Sequence, residues 1–288
     1  MIVATQRNNM VTGIPNRRSD LGTLANVPRR NLCSYTAWTC FFLFASVGNA
    51  ANADSGDPSF FEDFSTFDAT RWYISDGWSN GDHQNCLWSE SAVVPEKGRL
   101  SLYFFYDVTE SHDYRCAEIQ SMGRFGYGAY EARFRTDEGS GLNSAFFTYI
   151  GEVHGESHDE IDFEILTANP LEVTVNTFVD GEPMHGAEGP LPRPSNEYFH
   201  VYSFIWEPER IRWYVDGSLI HSVEDETLPS INQKIYFSVW GSDTLSDWMG
   251  TFDHPTRPVR MDIDWVAFTA LGEDCQFDES VLCALSED

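Results

Sequence analysis

From residue 60 onward, apolar and polar side chains alternate along the chain with a period of two, which is typical of β-strands. The pattern is clearest in three segments: 98–104, 127–135 and 171–179. The segment 211–221 continues it and is interrupted by Asp216-Gly217, a pair that favours a tight hairpin turn. No stretch has the period of a convincing helix. Many short strands between Gly, Pro and Asp turns predict an all-β fold, a sandwich of two antiparallel sheets.

The segment 158–166 has an unusual polar face. Its odd-numbered apolar residues form one side of the predicted strand, and the other side presents three carboxyl groups in a row, those of Glu160, Asp162 and Glu164. Like charges on one strand face repel each other, so stability alone does not explain them. One interpretation is a half-buried strand with a solvated acidic face. The other is a pair of carboxyl groups that hydrolyses a glycosidic bond.

Geometry limits the second interpretation. Residues i and i+4 of a strand have Cα atoms roughly 13 Å apart. The two carboxyl groups of a retaining glycosidase lie only about 5–5.5 Å apart, and those of an inverting enzyme about 6.5–9.5 Å. We therefore expect the strand to lie on the concave face of a bent sheet, where Glu160 and Glu164 can converge on one sugar bond.

Other predicted strands could line the same cleft. Glu118 and Gln120 share a strand face, as do Phe147 and Tyr149, and Trp240 lies on the polar face of its own strand. The chain contains nine Trp, twelve Tyr and twenty-one Phe, more than a core alone requires. Flat sugar rings stack on aromatic side chains, so this surplus favours a carbohydrate partner.

Charge and histidine spacing argue against two other classes of ligand. A formal net charge of −27 disfavours nucleic acid and anionic membranes, because both would be repelled. His154 and His158 are four residues apart, but Gly151 and Gly155 oppose a helix there. On a strand the two histidines would stand roughly 13 Å apart, too far to share one zinc ion.

The first 53 residues differ from the rest of the chain. The segment contains five arginines and a single acidic residue, and an apolar run follows at about 35–47. This pattern predicts a secretory signal and N-terminal extension, removed or disordered, with a later start at Met10 as an alternative. The apolar run is too short to span a bilayer comfortably. We therefore expect a secreted or periplasmic protein that is free of the membrane, with one large domain at 54–270 and a tail at 271–288.

Export to an oxidising compartment agrees with the cysteines. Cys33 and Cys40 fall within the predicted signal, and the four that remain allow three pairings. We favour Cys86 with Cys116 and Cys275 with Cys283, because the second pair would close a short tail after the last strand.

The motif Glu160-Ile161-Asp162-Phe163-Glu164 resembles the signature of glycoside hydrolase family 16. The similarity extends to 76–81, 144–149 and 213–217, and covers about residues 60–270. Within the family, the chain most resembles bacterial lichenase-like endo-β-1,3-1,4-glucanases. The segment 238–248 and the Cys-bearing tail are similar to the branch that trims the bacterial exopolysaccharide succinoglycan.

The resemblance implies a concanavalin A-like β-jelly-roll with the substrate cleft on its concave sheet, and hydrolysis with retention of anomeric configuration. By position, Glu160 matches the nucleophile, Glu164 the acid/base and Asp162 an assisting carboxylate. The positions implied to bind substrate are Trp78, Asn80, Glu118, Gln120, Phe147, Tyr149, His158, Asn176, Trp240 and Trp248.

The resemblance also bears on covalent and metal sites. Cys86 and Cys116 match the lichenase disulfide. The reaction requires no cofactor, but some family members bind a structural calcium ion, for which Asp264 and the carbonyl of Gly98 are the matching candidates.

Four positions depart from the lichenase pattern. This chain has His158 where lichenases carry Trp, Gln120 where they carry Arg, and Phe178 and Ser238 where they carry Tyr and Asn. Losing a stacking platform and a charged hydrogen bond weakens the case for cereal mixed-linkage glucan as the natural substrate.

The resulting prediction is a monomeric endo-acting β-glycanase that acts on β-1,3-1,4-glucan or a related bacterial exopolysaccharide. Two alternatives stay open at this point. One is a glucan-binding lectin without turnover, since jelly rolls also serve as lectins. The other is a transglycosylase, in which a sugar hydroxyl replaces water in the second step.

Overall fold

A computed structural model describes residues 57–96 and 98–286. The predicted signal segment lies outside these residues. The described chain is almost entirely β-structure, with strands β1 Phe60–Glu62, β2 Trp72–Ile74, β3 Cys86–Trp88, β4 Val93–Glu96, β5 Arg99–Tyr106, β6 Tyr114–Ser121, β7 Gly128–Thr136, β8 Leu142–Ile150, β9 Asp159–Leu166, β10 Glu172–Val179, β11 Glu182–Pro183, β12 Ala187–Pro190, β13 His200–Glu207, β14 Arg210–Val215, β15 Ser218–Glu224, β16 Lys234–Gly241 and β17 Val259–Ala270.

The strands form two layers of antiparallel pairs. The first layer, here called the cleft sheet, runs β2-β6-β16-β8-β9-β10, with β11 and β12 beyond β10. The second, the back sheet, runs β5-β17-β7-β13-β14-β15, with β4 beside β5 and β1 along the second half of β17. The all-β jelly-roll prediction is confirmed.

The core lies between the two sheets and is rich in aromatic rings. Phe146 and Phe163 project from the cleft sheet towards Phe134, Tyr202 and Phe204 of the back sheet, and all five are fully buried. Ring centroids across the layers are 5.5 Å apart for Phe163 and Tyr202, and 5.8 Å apart for Phe146 and Phe204. Because side chains alternate along a strand, burying these rings turns the carboxyl groups of β9 to the opposite face.

Both cysteine pairings favoured from the sequence are present. The bond between Cys86 and Cys116 joins β3 to β6, the strand that carries Glu118. The bond between Cys275 and Cys283 closes the tail that follows β17.

Two short helices were not expected from the sequence. Helix α1 spans Ser246–Met249 and helix α2 spans Val281–Ser286, and single 3₁₀ turns occur at Glu90–Ala92 and Glu152–His154. Each is too short to produce a helical period in the sequence. No helix in the part of the chain that the structure describes has the length and hydropathy needed to cross a lipid bilayer.

The tail is anchored on the outer face of the back sheet through a buried carboxylate. Glu131 accepts hydrogen bonds from Ser203 Oγ at 2.9 Å, from the Val281 amide at 2.8 Å and from Ser280 Oγ at 2.5 Å. Phe277 of the tail packs between Phe61 and Trp265.

We expect Glu131→Ala to destabilise the fold by about 3 kcal/mol or more, because three buried donors lose their acceptor and each unsatisfied group costs about 1–3 kcal/mol. Chemical denaturation measures the change. Ser203→Ala removes one donor alone and should cost less. Catalysis at 25 °C should be unchanged, since Glu131 lies on the layer opposite the cleft; a stability equal to that of the unmodified chain would contradict this role for Glu131.

Candidate active site

Three carboxyl groups of β9, those of Glu160, Asp162 and Glu164, lie on the cleft face, on the strand between β8 and β10. Glu160 is paired across the ladder with Tyr149 on β8 and Phe178 on β10. Asp162 is paired in the same way with Phe147 and Asn176. Because directly opposed residues share one face of a sheet, these side chains line a common surface. Aromatic rings therefore flank the acidic groups, as the sequence predicts for a sugar-binding cleft.

The next strands extend this surface. In β16, Tyr236 and Ser238 lie opposite Gln120 and Glu118 of β6, so all four side chains belong to the cleft face. Glu118 is buried and accepts a 2.6 Å hydrogen bond from Ser75 Oγ.

Three tryptophans predicted to bind substrate, Trp78, Trp240 and Trp248, lie at the end of the cleft away from the carboxyl groups of β9. The ring centroids of Trp240 and Trp248 are 6.2 Å apart, and Trp78 packs edge-on against Trp88, the last residue of β3. Trp78 and Trp248 are 40% and 38% exposed, unusual values for tryptophan in a fold with so large a core, and they present open ring surface. Asn80 follows Trp78 in the loop between β2 and β3, where the backbone amide of Asn80 donates to Gln84 Oε1.

A cavity of 580 Å³ adjoins this end. Its walls are mostly polar and come from three loops: residues 79–85, 111–114 and 243–244. It neighbours the tryptophans and not the carboxyl groups of β9.

Two buried amide oxygens on the cleft face lack protein partners. Among the described residues, Asn176 Oδ1 and Asn143 Oδ1 have no hydrogen-bond donor within reach. Buried acceptors without a donor are costly in a finished fold, whereas sugar hydroxyls could supply donors to both. This agrees with the prediction that Asn176 contacts substrate.

The three acids on the cleft face of β9 interact electrostatically. Burial, followed by the charges of Glu160 and Glu164 and a hydrogen bond with Glu160, raises the pKa of Asp162 well above its usual range. A raised pKa favours the protonated form of Asp162, which can share its proton with Glu160. The charges of Glu160 and Glu164 both act on Asp162, which lies between them on the strand.

The pKa of Glu164 is raised, as the general-acid role predicted from the sequence requires. Burial raises the pKa of Glu164 to about 7, an effect that Asn143 opposes and the charge of Glu160 reinforces. Burial likewise raises the pKa of Glu118 to about 7, against a hydrogen bond from Ser75. A carboxyl group with a pKa near 7 keeps a useful proton at neutral pH and can also take one up.

Asn143 is a site residue that the sequence analysis missed. Its Nδ2 donates a 2.8 Å hydrogen bond to Glu164 Oε1. Asn143 sits on β8 opposite Trp240 of β16 and is fully buried. The bond favours the ionised form of Glu164 and so lowers the pKa of Glu164 from the value that burial alone would give.

We expect Asn143→Ala to move the alkaline limb of the pH–activity profile to higher pH. Without the donor, the pKa of Glu164 rises, so the acid form persists further above pH 7 before deprotonation stops turnover. Profiles of kcat against pH for the two proteins measure the shift. A limb that stays in place, or moves to lower pH, would contradict the assignment of that limb to Glu164.

Two polar residues that contact Gln120 were not predicted from the sequence, Lys234 and Tyr236. Gln120 Oε1 accepts from Lys234 Nζ at 3.1 Å and from the Tyr236 hydroxyl at 3.2 Å. Tyr236 stacks on Phe147 with ring centroids 4.9 Å apart, and its hydroxyl contacts His154 Nε2. The lichenase pattern has Arg at the position of Gln120. Here the cation comes from Lys234, which donates to the side chain of Gln120.

His158 contacts Glu160 directly. Its Nε2 lies 2.6 Å from Glu160 Oε2, and its ring stacks on Phe178. The sequence analysis placed His158 among substrate-binding residues and did not foresee this bond.

The calcium candidates receive no support from their surroundings. The carboxylate of Asp264 forms an ion pair with the guanidinium of Arg133, a cation that competes with any metal for the same oxygen atoms. Among the described residues there is no group of three or more His, Cys, Asp or Glu arranged to hold a metal ion. The pair Gly98 and Asp264 does not fit a calcium site as it stands, and no step of the chemistry below uses one.

A jelly roll whose cleft sheet carries three aligned carboxyl groups among aromatic rings points to the class of the glycoside hydrolases. The family model for glycosyl hydrolases family 16 matches residues 80–267, so the chain belongs to that family. The resemblance stated from the sequence is confirmed, and the protein is a glycoside hydrolase.

Known relatives support the same conclusion. The chain is 49% identical over 228 residues to endo-1,3-1,4-beta-glycanase ExoK of Rhizobium meliloti (strain 1021), covering 79% of this chain and 84% of the relative. The solved beta-glucanase of Bacillus licheniformis superposes with a TM-score of 0.70 at 31% identity, covering 74% of this chain and 98% of the other. A prokaryotic beta-1,3-1,4-glucanase (lichenase) from a mouse hindgut metagenome gives 0.72 at 33%, covering 75% and 100%.

Proposed function

We propose that the protein is an endo-acting, retaining β-glycanase that cleaves β-1,3-1,4-linked glucan or a related bacterial exopolysaccharide such as succinoglycan. The observation that carries this proposal is the single strand β9, on which Glu160, Asp162 and Glu164 face the cleft and the last two hold raised pKa values. A lectin would need the aromatic rings but not three aligned acids.

The proposed reaction uses one ionised and one protonated carboxyl group. Glu160 Oε1 or Oε2 attacks the anomeric carbon as a carboxylate while protonated Glu164 transfers its proton to the departing sugar oxygen. The bond between the anomeric carbon and that oxygen breaks, leaving a glycosyl ester on Glu160. Glu164 then takes a proton from water, which attacks the same carbon and returns the electron pair to Glu160.

Asp162 moderates charge in this cycle. While Glu160 is negative, the proton on Asp162 can hydrogen bond to it and limits repulsion along the strand. When the ester forms, that negative charge disappears, and the same proton is free to shift. Glu164 can therefore change from acid to base without three negative charges meeting in one cleft.

The substrate proposal rests on the relatives and on the departures from the lichenase pattern. The relative ExoK is named a 1,3-1,4-beta-glycanase. His158, Gln120, Phe178 and Ser238 replace lichenase-type residues inside the cleft, and these changes favour a polysaccharide other than cereal glucan.

We also propose secretion or a periplasmic location. Two disulfides occur in the described residues, which agrees with an oxidising compartment. The basic and apolar leader at 1–53 supports the same destination from the sequence alone.

Oligosaccharide mapping of digests of lichenan, laminarin and succinoglycan tests the substrate. We expect short oligosaccharides to accumulate from the preferred polymer and the other polymers to be cut slowly. Products longer than an added oligosaccharide would instead show transglycosylation. Absence of new reducing ends from all three polymers, with a folded protein, would contradict the proposal.

A further inference from the structure

His158 is held beside the proposed nucleophile by contacts on three sides. Its backbone carbonyl accepts the amide of Gly181 at 2.9 Å. Its ring stacks on Phe178, with centroids 5.1 Å apart and planes 12° from parallel, and Tyr149 meets the ring edge-on at 5.0 Å. Phe178 and Tyr149 are the two residues that flank Glu160 across the sheet. The imidazole is therefore packed against both cross-strand neighbours of Glu160.

The direction of the hydrogen bond follows from the chemistry of its partners. His158 Nε2 lies 2.6 Å from Glu160 Oε2. An ionised carboxylate can only accept, so Nε2 carries the proton of this bond. Among the described residues, His158 Nδ1 has no hydrogen-bond partner. Either the neutral Nε2–H tautomer or the imidazolium can therefore make the contact.

This bond divides the work of the two oxygen atoms of Glu160. With Oε2 held by Nε2–H, the carboxylate cannot rotate freely, and we assign the attack on the anomeric carbon to the other oxygen, Oε1. In the glycosyl ester, Oε2 becomes the carbonyl oxygen. A donor on Oε2 stabilises the charge that returns to the carboxylate when water displaces it.

We propose that His158 is a positioning residue that orients Glu160 and stabilises its charge in both displacement steps, and not a residue that binds substrate. The inference rests on the proposed function, because it assigns His158 to the nucleophile named there. Two of the four departures from the lichenase pattern, His158 and Phe178, then form one unit: the Phe178 ring supports the imidazole that holds Glu160.

Two variants separate the hydrogen bond from the packing. His158→Phe keeps an aromatic ring against Phe178 but removes the donor, and His158→Gln keeps a side-chain N–H but removes the ring. We expect His158→Phe to lower kcat about 100-fold with KM changed less than about twofold, a loss typical of a mispositioned reacting group. His158→Gln should recover most of that loss. Melting temperatures confirm that both variants are folded.

An activated substrate supplies a readout that packing would not move. An aryl glycoside with a good leaving group needs no general acid, so its cleavage reports on the nucleophile. His158→Phe should slow the aryl glycoside and the polysaccharide by the same factor. Full activity of folded His158→Phe, a rise in KM at constant kcat, or a His158→Gln variant as impaired as His158→Phe would each overturn the inference.

A parallel Glu160→Ala variant separates the two levels of the argument. If Glu160→Ala is inactive while His158→Phe is fully active, the positioning role fails and the proposed function stands. If Glu160→Ala itself retains activity, the proposed function fails and the role of His158 fails with it.

Discussion

Glu160→Ala should lower kcat on the preferred polysaccharide by roughly 10⁴-fold or more, the scale seen when a covalent enzyme loses its nucleophile or an essential partner of it. Without Glu160, no glycosyl ester forms, and the remaining acids cannot replace it. In the proposed mechanism Glu164 serves the leaving oxygen, and Asp162 acts only by sharing a proton with Glu160. KM should change little, because stacking by the aromatic rings is retained. Reducing-end release measures the loss.

Two controls make this result specific. Glu209→Ala removes an exposed acid from the turn between β13 and β14 on the back sheet, and should leave turnover unchanged. Added azide can enter the space vacated by Glu160 and attack the anomeric carbon of an activated β-glycoside from the nucleophile's side, giving an α-glycosyl azide. A folded Glu160→Ala protein that still cuts β-glucan would refute the assignment.

Glu164→Ala should produce the second-largest effect, with a dependence on leaving group that Glu160→Ala does not share. On polysaccharide, loss of the general acid should cost about 10²–10⁴-fold, because the departing sugar oxygen is a poor leaving group. On an activated aryl glycoside the first step should be nearly normal, since that leaving group needs no proton. The burst-phase rate of aryl release, compared with the rate of polysaccharide cleavage within one preparation, measures the difference.

The second step of the same variant provides a stereochemical check. Without Glu164 to activate water, the glycosyl ester on Glu160 should accumulate, and azide should release it from the opposite face as a β-glycosyl azide. Equal losses on both substrates, or an α-glycosyl azide, would show that Glu164 is not the acid/base. The two alanine variants are thus expected to give opposite azide products.

The sequence predicted those features that depend on local alternation. A period of two placed Glu160, Asp162 and Glu164 on one face, and burial of the intervening residues made that face the cleft. The strand breaks at Gly and Asp turns likewise predicted two antiparallel sheets. Such patterns are visible in the sequence because neighbouring side chains of a strand always alternate.

Contacts between distant strands were not predictable in this way. Ser75 and Glu118 are 43 residues apart, and Lys234 and Gln120 are 114 apart, yet each pair is hydrogen bonded. The register that brings them together is set by the packing of whole sheets, to which many residues contribute. For the same reason the sequence could suggest that His158 binds sugar but could not reveal its bond to Glu160.

Raised pKa values in the cleft were also only partly predictable. The sequence suggested that burial and neighbouring charge would raise the pKa of Glu164, and the structure gives a value of about 7. The equal rise at Glu118 depends on how β6 is covered and was not foreseen. Solvation is a property of the packed site, so residue identity alone does not fix it.

The most direct measurement follows the anomeric configuration of the first product by proton NMR during hydrolysis of a β-glucan oligosaccharide. Two displacements, one by Glu160 and one by water activated by Glu164, predict that the β-anomer of the new reducing end appears first and then mutarotates. Initial appearance of the α-anomer would mean a single displacement by water, and would contradict the covalent role of Glu160.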